Sequence, residues 1–172
     1  MTRSADHPLV PYRGAPTPGT RLPQHHAGCF ACGDGEGGLR LRFTAGEQLT
    51  MTGTFTPASH HQGSPGITHG GILAAVCDEA LGALQTFFPE PAVTASLSTD
   101  FRRPVPVGTE LHLRCRVDSR EGRKLRVSGE ARLGAPDGPV ALVTAALFVF
   151  VEPEHFERHG RPEDVAAARA SS

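Results

Sequence analysis

The chain has 172 residues, 38% of them apolar, with 17 basic and 18 acidic side chains and a formal net charge of -1. That length suits one domain with one core. The even charge balance excludes the broad basic field of a nucleic-acid or anionic-membrane binder, and no apolar run is long enough to cross a bilayer.

In chain order, residues 1–28 are rich in Pro, Gly, His and Arg without periodicity and read as a flexible or irregular leader. Its opening, MTRSADHPLVPYRGAPTPG, holds no apolar stretch of the secretory kind, so a cytoplasmic location is expected. A domain is expected over residues 29–152. LRLRF (39–43) and EQLTMTGTFT (47–56) alternate and are predicted strands, joined as a hairpin through TAGE. Residues 57–68 are loop. A helix is predicted from about His69 to Phe87, with Thr68 as its N-cap and Pro89 and Pro91 as its stop. Four further strands are predicted near 92–103, 109–118, 123–134 and 139–152, separated by the turn-like PVPVG, SREGR and APDGP. The last is the most apolar and is expected to be central. Residues 153–172 form a polar, then Ala-rich, tail with room for a short helix. Short links imply antiparallel neighbours. The fold class is therefore α+β, one long helix on one face of a curled antiparallel sheet.

At 100° per residue, Leu73, Val76, Cys77, Ala80, Leu84, Phe87 and Phe88 share one arc of the helix. Burying Leu73, Val76, Leu84 and Phe87 there contributes about 6–12 kcal/mol before entropic costs. The opposite side carries Gly71, Ala74, Ala75 and Gly82, with Asp78 and Gln85 among them. Small residues admit another backbone, and a second copy of the chain about a two-fold axis is the simplest partner. A sparsely decorated surface helix is the alternative. Asp78 falls at the border of the core arc and Glu79 on the opposite flank.

Gly70 and Gly71 open the helix, where N–H groups lack internal partners and a carbonyl oxygen can approach without meeting a Cβ. That geometry steadies an oxyanion. Asp78 lies eight residues beyond Gly70, about 12 Å along the axis by helix rise. One small carbonyl cannot touch both within one chain, so cooperation between them requires two copies.

The run HHQGSPGITHGGILAAVCDEALGAL (60–84), followed by FRRPVPVG, resembles the hotdog-fold acyl-CoA thioesterases, in the branch near the phenylacetate-pathway and mammalian-type "HGG" enzymes. GCFACGDGEGGLRLRF resembles a subgroup of that superfamily, and the likeness spans about residues 28–151. The resemblance implies a dimer or pair of dimers acting on an acyl-CoA or other acyl thioester, without a cofactor. It implies that Asp78 attacks the thioester carbonyl or activates water, with Glu79 the weaker candidate. It implies that Gly70, beside Gly71, polarises the carbonyl, that His69 and His61 are the motif and loop histidines, and that Gln62 is available to place water. Arg102 and Arg103 are candidates for the CoA phosphates, and Ser96, Ser98 and Thr99 for the pocket lining. A dehydratase or hydratase pairing His61 or His69 with Glu79, and a non-catalytic acyl-thioester-binding protein, are the competing classes.

His25, His26, Cys29 and Cys32 are donor types of an N2S2 zinc site, but a structural zinc usually draws on two separated pairs. The segment is expected instead to pack a Cys-Phe corner as an arm or lid, without metal. A redox role for Cys29 and Cys32 is disfavoured because GDGEGG cannot continue as a helix. Cys77 and Cys115 are expected in the core.

Overall fold

A computed structural model describes residues 9–170. Alternating residues of β1 (Arg42–Ala45), β2 (Thr50–Phe55), β3 (Ala92–Phe101), β4 (Leu111–Glu121), β5 (Lys124–Leu133) and β6 (Val140–Phe150) build one sheet in the order β1-β2-β4-β5-β6-β3. Every neighbouring pair is antiparallel. The expected α+β arrangement is present, with the sheet curled about α1 (Gly70–Gly82) and its 3-10 extension Ala83–Phe87. The chain ends in α2 (Glu154–His159) and α3 (Pro162–Ala170), two helices where one short helix was expected.

Inward residues of the strands carry the core. Met51, Leu111, Leu125, Leu142, Val76, Leu81 and Leu84 are sealed from solvent, and the predicted helix arc, Phe87 and Phe88 included, is buried in full. Cys77 and Cys115 lie in this core as free thiols. β6 is flanked on both sides but sits next to the sheet edge rather than at its centre. Alternate residues of β6 are buried while Val143 on its other face is 40% exposed, so its apolar run reflects one covered face and not a central position.

The two edges differ. The outer side of β1 is covered by residues 19–22, whose backbone exchanges hydrogen bonds with Phe43 and Ala45. So the expected leader is irregular over 9–28, yet Leu22 is buried and Tyr12 N–H donates to the Phe87 carbonyl. Among the described residues no backbone hydrogen bond covers the outer side of β3, a ten-residue strand with Asp100 as its one charge. A bulge between Thr94 and Ser96 shifts its register against β6.

Truncating Leu84, which has no solvent exposure, to alanine will cost about 2–5 kcal/mol. Urea unfolding followed by circular dichroism checks this, with the midpoint moving at constant slope.

Candidate active site

The loop ahead of α1 is locked by its own polar groups. Gln62 Oε1 accepts from Gly66 N–H at 2.7 Å, and His69 N–H donates to the His61 carbonyl at 2.8 Å. The N-cap is His69, not Thr68: its Nδ1 accepts from Gly71 N–H at 2.9 Å. Imidazole reaches back as a serine or threonine would, while Thr68 is buried with its hydroxyl unpaired. The consequence separates the two glycines. Gly71 N–H is committed to the cap, and Gly70 N–H has no partner among the described residues. A side chain on Gly70 would meet only the Phe101 ring, 3.7 Å away.

His61 is buried, with Nδ1 accepting from Ala58 N–H at 3.0 Å. Its proton therefore sits on Nε2, which is buried without a partner. Burial, with His60 beside it, holds its pKa below the ordinary histidine value. The ring braces the loop as a neutral imidazole.

Asp78 is half-buried, and its Oδ1 accepts from Thr94 Oγ1 of β3 at 3.0 Å. Burial pushes its pKa up, the Thr94 hydroxyl pulls it down, and the Glu79 charge pushes it up again, for a net rise. Asp78 lines a cavity of about 810 Å³. The floor is α1 and β3 with Phe148, one wall is His25, His26 and Cys29, and the other is α2 and α3.

Glu79 does not sit on an open flank. It is 8% exposed and turned under residues 25–32, with Oε1 3.3 Å from His25 Nδ1 and Oε2 accepting from Cys29 Sγ at 3.8 Å. Burial pushes its carboxyl up, but the bond and charge of His25 outweigh this and hold it below the usual range. The bond to Glu79 in turn raises His25 to about 9. The small side of α1 is thus partly covered, as expected, though by this chain's own arm. Gly82 lies under Phe148 and His25, while Gly71 stays exposed and Ala74 and Ala75 half-exposed. In the arm the cysteines face inward and Phe30 is 55% exposed, so the expected Cys-Phe corner is a cysteine corner only. His25 was grouped with the two cysteines from sequence, but Glu79 joining them in place of His26 escaped it. The signal was a glutamate one helical turn after Ala75 and one before Ala83, on a face carrying no solvated charge.

The candidate phosphate and lining residues lie along β3 and beyond. Arg102 pairs with Asp100 at 2.7 Å and Arg103 donates to the Val140 carbonyl at 2.6 Å, both guanidinium groups being exposed. Ser96 and Ser98 face solvent, and Thr99 Oγ1 meets Thr144 Oγ1 at 3.1 Å. None of these lines the Asp78 cavity. Gly70 with Phe101 marks one end of β3, and Asp78 with Thr94 marks the other. Within one chain the two groups stay apart.

Residues 65–138 match the family model described as the thioesterase superfamily. The acyl-coenzyme A thioesterase THEM4 of Xenopus laevis is 31% identical over 116 residues, covering 67% of this chain and 52% of that protein. THEM4 of Bos taurus is 31% identical, covering 70% of this chain and 49% of that protein. The chain therefore spans about half the length of these curated relatives. Among solved structures, the thioesterase superfamily protein RHA08564 superposes with a TM-score of 0.66 at 29% identity, covering 79% of this chain and 73% of the other. The Escherichia coli PaaI protein superposes at 0.60 with 17% identity, over 66% of this chain and 81% of that one. A Streptococcus mutans protein solved bound to acetyl CoA superposes at 0.59 with 15% identity, over 64% and 88% respectively.

Because the folded His61 is hard to protonate, the unfolded chain takes up its proton first as pH falls through about 6.5. Stability from this residue is therefore full above that pH and is lost below it. Between pH 7.5 and 5.5 the melting temperature of the wild type will fall relative to that of His61→Gln, as read by differential scanning fluorimetry.

Proposed function

We propose that this chain, a member of the thioesterase superfamily built on the hotdog fold, hydrolyses acyl-CoA thioesters to free acid and thiol. The observation that carries the reading is the placement of Gly70 and Asp78 at opposite ends of the uncovered strand β3. Antiparallel pairing of two β3 edges, centred between Leu97 and Ser98, sets Thr94 of one copy opposite Phe101 of the other. Asp78 of one copy then faces Gly70 of its partner, and α1 of each copy lies on the same face of a continuous sheet. A long edge with one charge favours such pairing, and a dimer, alone or as half of a tetramer, follows from it.

In this site the thioester carbonyl oxygen accepts from Gly70 N–H. Asp78 takes a proton from water as the water oxygen bonds to the carbonyl carbon. Negative charge moves onto the carbonyl oxygen, where the amide at the positive end of α1 steadies it. The carbon–sulfur bond then breaks and the thiolate takes up the proton. Thr94 fixes Asp78 Oδ1, leaving Oδ2 for the water. A thiolate is a good leaving group, so one acid and one donor meet the demand. The exposed guanidinium groups of Arg102 and Arg103, just past Phe101, support CoA phosphate binding at the Gly70 end of the seam. The cavity beside Asp78 supports an acyl site there. Four free thiols fit the reducing cytoplasm in which we place the protein.

The dehydratase alternative pairs His61 or His69 with Glu79. Neither His61 nor His69 meets Glu79 among the described residues, and each commits its Nδ1 to a backbone N–H.

Asp78→Asn will fold normally and lower kcat about 10²- to 10⁴-fold. Gly70→Pro removes the amide hydrogen at the one helical position where proline is favoured, after a residue already at φ -62°, ψ 132°. It will lower kcat about 10²- to 10³-fold. Mixing the two inactive variants under subunit exchange will restore about a quarter of wild-type activity, since half the dimers then hold one intact site. No recovery in verified heterodimers rejects the shared site. Arg103→Ala will raise KM for acyl-CoA about tenfold and leave KM for the matching N-acetylcysteamine thioester unchanged, in a thiol-release assay.

A further inference from the structure

The donor atoms of His25, Cys29, Cys32 and Glu79 all lie within 4.8 Å of one another. We propose that these four side chains bind one zinc ion that staples the N-terminal arm to α1.

The cluster is compact enough for one zinc ion to draw its four donors in, since no two donor atoms stand more than 4.8 Å apart. Zinc bonds of 2.0–2.1 Å to nitrogen, 2.0–2.2 Å to oxygen and 2.3 Å to sulfur give tetrahedral edges of about 3.4 Å between N and O and about 3.6 Å between S and O. His25 Nδ1 stands 3.3 Å from Glu79 Oε1, and Cys29 Sγ stands 3.8 Å from the other oxygen, Oε2, so the carboxylate turns to offer one oxygen to an ion between them. The donor set is nitrogen, carboxylate oxygen and two sulfurs, which suits zinc and disfavours magnesium or calcium.

The backbone is shaped for thiolates. His25 N–H donates to Cys32 Sγ at 3.3 Å. Cys29 N–H donates to the His26 carbonyl and Gly33 N–H to the Cys29 carbonyl, closing a tight turn around the pair. A Cβ on Gly33 would stand 2.3 Å from the Ala27 carbonyl oxygen and 2.4 Å from that of Cys29, so only glycine fits there. Outside the cluster, Gln85 Nε2 lies 3.1 Å from His25 Nε2. Metal on Nδ1 moves the ring proton to Nε2, and the Gln85 amide then turns its oxygen to it, releasing the Ala92 N–H it holds otherwise.

Three ligands come from residues 25–32 and the fourth from the middle of α1, so the ion joins segments that no backbone ladder joins. Four protein ligands close the coordination sphere and make this a structural centre. Glu79 is spent on it, leaving Asp78 as the acid that faces the cavity.

The test uses the full chain, purified without added metal or affinity nickel, in reducing buffer. Metal analysis by mass spectrometry is expected to find one zinc per chain that survives dialysis. Removal with a chelator is expected to lower the melting temperature, and zinc chloride to restore it. Cobalt(II) added to the stripped protein is expected to give intense tetrahedral bands and a thiolate-to-cobalt charge-transfer band. Cys32→Ser and Glu79→Gln are expected to lose the ion, and Cys115→Ser to keep it. Wild-type protein that holds no zinc after incubation with zinc chloride overturns the proposal. So does a cobalt spectrum without the thiolate band, or a Cys29–Cys32 disulfide in place of metal. None of these readouts depends on thioester turnover.

Discussion

Burial of one arc of α1 against the sheet is the constraint from which the rest follows. Val76, Cys77, Ala80, Leu81 and Leu84 admit no solvent, so the rotation and height of the helix are fixed by close packing. With rotation fixed, Asp78 has one place to go, the border where the core ends and Thr94 waits. With height fixed, the unpaired amide of Gly70 arrives beside Phe101. Groups on a helix set this firmly need little adjustment of their own to serve the proposed chemistry.

Much of this was legible because it is periodic. The apolar arc of α1 and the alternation in six strands repeat over lengths that tertiary packing does not override. What escaped is local or long-range in ways a period cannot record. The cap passed from Thr68 to His69 because imidazole Nδ1 reaches the second amide of the helix. β3 pairs with β6 and not with its successor β4, a choice of topology that alternation leaves open. The leader was read as flexible or irregular because it lacks periodicity, yet its backbone covers β1 and its His25 covers Glu79. At the candidate site, the positions of Asp78 and Gly70 on the helix were legible. The separation of Gly70 from Gly71 was not, since it hangs on one hydrogen bond.

The adjacent acids of α1 show how one step along a helix changes a residue's chemistry. Asp78 and Glu79 are about 100° apart. One meets a hydroxyl at the edge of an open cavity, and the other a histidine and a thiol under a covering segment. Burial opposes ionisation in both, but the cationic neighbour reverses the balance for Glu79 and the threonine does not for Asp78.

The cavity is built from parts with unequal freedom to vary. Its floor is α1 and the sheet, where a one-residue slip would turn every inward side chain outward. Its walls are an irregular segment and two short terminal helices, joined to the sheet by few backbone bonds. Insertions and substitutions in such walls leave strand register untouched. The architecture therefore lets the shape of this compartment drift over evolutionary time while Asp78 and Thr94 keep their places on its floor.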